Sequence, residues 1–303
     1  MKKHNFSAGP SILPLEVIDD ASKAVINLND KGLSLLEISH RSKDFISIMD
    51  EASSLALELT DLKNKGYKAL FLQGGASLQF LMVAYNFLKT KVGYINTGTW
   101  SEKAIKEAKL FGEVIEIASS KNNNFNYIPK DIKTKENFDY IHLTTNNTIF
   151  GTQFHNIPEF NSSLIADMSS DIFSRIIDYS KFDLFYAGAQ KNTGPAGTTL
   201  VIINESLLSE INDNIPSMLS YKTHIDKESM FNTPPVFSIY TTMLNLRWIK
   251  KNGGIKNLEN LNRIKANLIY NEIDTNSKFA GFAEKDDRSF MNVTFNLINP
   301  EEK

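Results

Sequence analysis

From residue 68 onward the chain alternates short apolar runs with amphipathic stretches, and this constrains the fold more than any other feature. The runs at 68–72, 92–95, 114–117, 140–143, 164–166, 184–186 and 198–203 have the length and side-chain type of strands. Helical patterns lie between several of them, most clearly at 78–88 and 100–111. Strands that are apolar throughout must be covered on both faces, and strand–helix alternation does this around a mostly parallel sheet. The expected fold is therefore α/β, with helices on both sides of such a sheet. Two amphipathic helices precede it. The first follows Pro14 and places Leu15, Ile18, Ala21, Val25 and Leu28 on one face. The second starts near Asp44, runs through Ile46, Met49, Ala52, Ala56 and Leu59, and stops at Gly66, a residue suited to a left-handed helix end.

After Tyr240 the pattern becomes two helical runs broken at Gly253 and Gly254, then a strand-like segment at 289–295. A lone strand after a long helix lacks a partner for its ladder. The division expected is an N-terminal arm at 1–15, a large domain at 16–255, and a smaller α+β domain at 256–303 that reads as incomplete.

Composition removes several classes of function. The chain has no cysteine, so disulfides, thiolate metal sites and cysteine nucleophiles are excluded. A formal net charge of -2 lacks the basic field of a general nucleic-acid binder. No apolar stretch approaches the roughly 18 residues of a membrane span, and the N-terminus has no uninterrupted apolar core of a signal peptide. A cytoplasmic protein is expected. His4, His142, His155 and His224 show no metal-ligand spacing.

In parallel α/β sheets ligands bind beyond the carboxyl ends of the strands. Four such places stand out. After Leu72 come Gln73, Gly74, Gly75, Ala76 and Ser77, opening a helix; this is either a phosphate cradle or a plain turn. It lacks the Gly-Lys-Ser/Thr of a Walker loop and the glycine spacing of a dinucleotide fingerprint. Asp167 follows an apolar run and either caps the next helix or faces a ligand. Lys191 lies in FDLFYAGAQKNTGPAG, among small residues that let a ligand approach closely. Trp100 stands at a strand–helix junction, where it either fills the core or offers a ring face. An amine, an acid and a phosphate cradle at separate strand ends suit pyridoxal 5′-phosphate (PLP), which needs all three. His40 and Arg41, in EISHRS, form either a capping loop or an anion clamp.

At these residues the sequence resembles the phosphoserine aminotransferases, class V enzymes of PLP fold type I. The resemblance rests on NFSAGPSILPLEV, LEISHRSKDF, LQGGASLQF, NTGTWSEKA, IADMSSDIFSR, YAGAQKNTGPAGTTLVI, MFNTPPVFSIY and RSFMNVTF, in that order. It implies that Lys191 carries PLP as a Schiff base, Asp167 pairs with the pyridine nitrogen, Trp100 stacks on the ring and Thr148 bonds its 3-hydroxyl. It also implies that Ala76, Ser77 and Gln190 bind the phosphate, with Asn232 and Thr233 from the partner in a homodimer. His40 and Arg41 match the residues that bind the substrate anion, and Ser7, in the arm, lines the site. The implied reaction moves an amino group from L-glutamate to 3-phosphohydroxypyruvate, in serine and, in bacteria, pyridoxine biosynthesis. Another small-acid transaminase of the class, or a shortened PLP-binding protein with little turnover, is the alternative. Some members carry arginine at the position of Ser77, and members continue for several tens of residues past the RSFMNVTF segment.

Overall fold

The computed structural model describes residues 3–299; the outermost parts of the expected arm and C-terminal domain, residues 1–2 and 300–303, lie outside the described residues. The chain opens with α1 (Leu15–Ile26) and α2 (Lys43–Leu59). It continues through β1 (Tyr67–Leu72), α3 (Gly75–Phe87), β2 (Lys91–Asn96), α4 (Thr99–Ala108), β3 (Glu113–Ser119) and β4 (Ile141–Thr144). A short hairpin, β5 (Asn146–Asn147) and β6 (Thr152–Gln153), leads to β7 (Leu164–Asp167), β8 (Leu184–Gly188) and β9 (Thr199–Asn204). Last come α5 (Tyr221–Asp226), α6 (Val236–Lys251), α7 (Gly254–Thr275), β10 (Phe279–Gly281) and β11 (Phe295–Leu297).

The seven apolar runs read as strands are the seven strands of the central sheet, ordered β3-β2-β4-β7-β8-β9-β1. Neighbours from β3 to β8 pair in parallel, and only β9 runs against both of its neighbours. Because successive strand residues face opposite ways, the strands feed two cores. Phe71, Leu143, Phe185 and Ile202 join the core under α1, α2 and α6, while Leu72, Tyr94, Ile165 and Val201 join the one under α3 and α4. Phe45, Phe71 and Phe185 are fully enclosed, and each such side chain contributes roughly 1.5–3 kcal/mol by leaving water.

Two helix readings need correction. In α1 the buried face is Val17, Ala21 and Ala24, continued by Leu28, whereas Leu15 and Ile18 are exposed. The helix is apolar on more than one side, so periodicity alone could not choose between faces. In α2 the Ser42 hydroxyl caps the N-terminus by accepting from the Phe45 amide at 3.3 Å, but the helix ends at Leu59, well short of Gly66. Positive φ at Asp61, Asn64 and Gly66 instead reverses the chain into β1.

The C-terminal segment is also more tightly held than its sequence suggests. The strand within 289–295 begins only at Phe295, and it pairs with β10 in antiparallel register, Phe279 against Leu297. Ser289 is fully buried, and the Tyr270 hydroxyl of α7 donates to its carbonyl at 2.8 Å. Among the described residues no helix is long and apolar enough to cross a membrane.

Candidate active site

The carboxyl ends of β4, β7 and β8 lie side by side, with Thr144 level with Asp167 and Asp167 level with Tyr186. Just past them the chain places its candidate groups. The Lys191 ammonium donates to the Thr148 hydroxyl at 2.6 Å and stands 5.3 Å from the centre of the Trp100 ring. Asp167 is buried, and one of its carboxylate oxygens accepts from the Ser169 amide at 2.8 Å. Burial pushes the Lys191 ammonium below the usual lysine range, against the pull of Asp167 and Asp171. Burial likewise pushes the Asp167 carboxyl above its usual range, opposed by Lys191 and Ser169. Both shifts have one physical origin, a charge held away from water.

Local sequence explains how these groups are presented. Trp100 lies in the first turn of α4, where the Ser101 hydroxyl accepts from the amides of Thr97 at 3.0 Å and Gly98 at 2.9 Å. Gly98 is closely packed: a Cβ there would lie 3.0 Å from both Asn147 Oδ1 and Phe150 Cδ2, so those side chains would have to give by a few tenths of an ångström. The buried indole N–H of Trp100 has no partner among the described residues. Gly74, at φ 92°, caps α3, so Gly75, Ala76 and Ser77 form a first turn whose amides have no partner within the helix. Gln190 folds back over Gly188, where a Cβ would approach its amide oxygen to 2.8 Å.

The N-terminal arm reaches this cluster. The Ser11 amide donates to the Gln190 carbonyl at 2.9 Å, and the Ser11 hydroxyl donates to the Lys191 carbonyl. Gly9 lies against the lysine stem, where a Cβ would come 3.0 Å from Lys191 Cγ. Ser7, farther out, is exposed.

Other sequence candidates stand apart from this centre. His40 is half-buried and Arg41 exposed, in the loop before α2, and the Arg41 side chain has no polar partner among the described residues. Asn232 and Thr233 are exposed, and the Thr233 carbonyl accepts from Gln73 Nε2 at 2.8 Å, beside the start of α3. No group of three or more His, Asp or Glu side chains is disposed to hold a metal among the described residues.

Sequence reasoning missed a buried polar layer behind the centre. The Asp171 carboxylate accepts from Gln153 Nε2 and Arg175 Nη2, each at 3.2 Å, and from the Thr145 hydroxyl. Thr145 in turn donates its amide to the Asp167 carbonyl at 3.0 Å. The signal available was the density of small polar residues around the ends of β4 and β7, TTNNT and DMSSD, which ordinary loops also show.

A half-buried amine of lowered basicity, with a buried acid and an aromatic face at the strand ends of this sheet, is chemistry suited to a covalent bond with a carbonyl compound. The chain belongs to the class V aminotransferases, and the sequence profile of that family, Aminotransferase class-V, matches residues 3–303. Within the class its relatives are specific. A phosphoserine aminotransferase of Flavobacterium johnsoniae is 61% identical over 99% of this chain and 85% of its own length. That of Bacteroides fragilis is 54% identical over 100% of this chain and 85% of its own. Among solved structures, the phosphoserine aminotransferase of Bacillus circulans subsp. alkalophilus superposes with a TM-score of 0.95 at 44% identity, covering 98% of this chain and 84% of that one. The PLP-bound enzyme of Trichomonas vaginalis does so at 0.92 and 34% identity, covering 99% and 90%.

Proposed function

We propose that this chain transfers an amino group from L-glutamate to 3-phosphohydroxypyruvate, giving O-phospho-L-serine and 2-oxoglutarate, with PLP as cofactor. The observation that carries the reading is the Lys191–Thr148–Trp100 contact beside buried Asp167, in a chain 61% identical to a phosphoserine aminotransferase. The residues present fit PLP: an amine whose neutral form burial favours, a buried carboxyl, a hydroxyl, a ring face and a helix N-terminus each answer one of its groups.

When bound, PLP supplies an electron sink for the pair left as a proton departs from the substrate Cα. Lys191 holds the cofactor covalently between turnovers. Its free amine would move the proton between the substrate Cα and the cofactor's C4′, a task for which a lysine of lowered pKa is suited. Asp167 holds a proton on the ring nitrogen, and Thr148 bonds the 3-hydroxyl. Trp100 covers one ring face and keeps water from it. Ala76, Ser77 and Gln190 bind the cofactor phosphate, joined in a homodimer by Asn232 and Thr233 from the partner subunit. His40 and Arg41 grip the substrate's anionic end, with Ser7 of the arm alongside. Residues 16–255 act as the cofactor domain and 256–303 belong to a smaller one.

The test is borohydride reduction of the PLP-loaded protein with peptide mapping, beside a steady-state assay. Label on Lys191, with turnover of phosphohydroxypyruvate well above that of glyoxylate, is expected. Label on another lysine, or a preference for glyoxylate, would sink the reading.

A further inference from the structure

One buried side chain joins the candidate centre to the C-terminal segment. Asn146, in β5, lies two residues before Thr148, the hydrogen-bond partner of Lys191. Its Nδ2 donates to the Ser170 hydroxyl and to Asn292 Oδ1, each at 2.8 Å, and its Oδ1 accepts from the Ser289 hydroxyl. The Ser289 oxygen itself accepts the amides of Met291 and Asn292, each at 2.9 Å, so its own proton is left to donate. That requirement fixes which way the Asn146 amide faces. The Ser170 hydroxyl closes the circuit by donating to the Asn146 carbonyl at 2.9 Å. Asn146, Ser170 and Ser289 are all buried, and every polar atom of their side chains has a partner.

The circuit touches the centre from two directions. On one side, Ser170 adjoins Ser169, whose amide bonds the Asp167 carboxylate and whose hydroxyl accepts from the Gly188 amide at 3.2 Å. On the other, the turn from Thr148 to Gly151 is gripped by the same segment that carries Ser289. The Ser289 amide donates to the Gly151 carbonyl at 2.8 Å, and the Thr294 hydroxyl donates to that of Phe150 at 3.0 Å. Gly151 has φ 67°, and a Cβ there would fall 2.3 Å from Thr294 Oγ1. The Cβ would also fall 2.8 Å from the Asn292 carbonyl oxygen, so only glycine lets the two segments approach this closely.

We propose that Asn146 is a positioning residue that couples segment 288–294 to the Thr148–Lys191 contact, so that the C-terminal segment helps set the geometry of the centre. The purpose given to the clamp rests on the function proposed above; its physical effect does not. A fully satisfied buried network has one arrangement, whereas a broken one leaves orphaned donors that look for other partners. Releasing the clamp frees the turn that presents Thr148. The Thr148 hydroxyl accepts from the charged form of Lys191, so a looser contact lowers the lysine's titration midpoint further. The other charges bearing on Lys191 are Asp167 and Asp171, and neither Ser289 nor Asn292 touches them directly.

The experiment uses the ligand-free protein. Lys191 is labelled with an amine-reactive reagent across pH and quantified by peptide mass, and hydrogen exchange is followed over residues 146–152. Ser289→Ala removes the buried donor; Asn292→Ala, at a half-buried site, serves should the first variant fail to fold. Each is expected to lower the Lys191 midpoint by on the order of half to one pH unit and to speed exchange in the turn. In a Thr148→Val background neither should move the midpoint. An unmoved midpoint in a folded variant, or an equal shift without the Thr148 hydroxyl, overturns the coupling. Borohydride trapping of PLP in the native protein separates the two claims. Trapping on Lys191 with an unmoved midpoint defeats the clamp alone; trapping elsewhere defeats the functional reading and the purpose given to the clamp.

Discussion

Gly9, in an exposed arm, packs against the stem of Lys191: a Cβ there would lie 3.0 Å from the lysine Cγ and 3.7 Å from its Cε. An arm residue thus limits where the amine can go. Gly9→Ala should push the stem aside by a few tenths of an ångström, enough to disturb a reacting geometry without unsettling a core it does not touch. Turnover is expected to fall about tenfold with little change in thermal midpoint, measured by steady-state kinetics beside calorimetry. Native turnover in the variant would show that the arm does not constrain the lysine.

Asp167→Asn should separate stability from activity. The folded carboxyl has a raised pKa, so from pH 3.8 up through that value the folded chain binds more protons than the unfolded one, and stability falls as pH rises. A neutral amide escapes this cost. The ligand-free variant is expected to be at least as stable as the native protein at neutral pH, while turnover drops by roughly 10²–10⁴ for want of a charge at the ring nitrogen. Paired thermal melts and kinetics decide it; a variant that is both destabilised and active would contradict the assignment.

Arg41 has no polar partner for its guanidinium among the described residues, so its removal should leave the fold alone. Arg41→Ala is expected to cost about 1.5–3 kcal/mol of substrate binding, tenfold to more than a hundredfold in KM, with PLP affinity nearly unchanged. Fluorescence titration of the cofactor beside KM for phosphohydroxypyruvate is the comparison. Equal losses of both would place Arg41 at the cofactor instead.

His142 makes the fold acid-sensitive. Burial lowers its pKa from 6.5 to about 3, and its Nε2 pairs with the Tyr186 hydroxyl at 2.8 Å in the core under α3. Between those values the unfolded chain takes up a proton that the folded chain does not. Stability should therefore fall as pH drops through that window, by about 1.4 kcal/mol per unit for this group, with no contribution above it. His142→Phe should flatten that part of the urea-midpoint profile, even though it leaves Tyr186 without a partner. A profile as steep as the native one would assign the acid sensitivity to other groups.

How far the sequence could be read depended on how local the determining contacts are. All seven sheet strands were legible because a continuous apolar run of that length has few other uses; Asp167 stood out as an acid directly after such a run, and Lys191 as an amine in the small-residue loop beyond another. The buried face of α1 was not legible, because which side meets α6 is settled by tertiary packing. Asn146 was illegible for another reason: its partners Ser289 and Asn292 lie more than a hundred residues away, and its own neighbourhood reads as an ordinary polar turn. Apolar patterning carries its meaning within one element, whereas a buried amide gains its meaning only from whatever the fold brings to it.

The reversed direction of β9 bears on how the lysine moves. A parallel neighbour would have required a long crossover, but β8 and β9 are antiparallel and joined by a short connection, with Gly188 opposite Thr199. That connection is fastened along its length. The Ala189 amide bonds the Thr198 carbonyl at 3.1 Å, Asn245 Nδ2 reaches the Asn192 and Thr193 carbonyls at 3.2 and 2.9 Å, and the arm holds Gln190. The backbone under Lys191 is a fixed mount. Whatever distance the amine travels between one bond and the next comes from rotation about its own side-chain torsions, within the space that Gly9 and Trp100 leave it, rather than from swings of a loop.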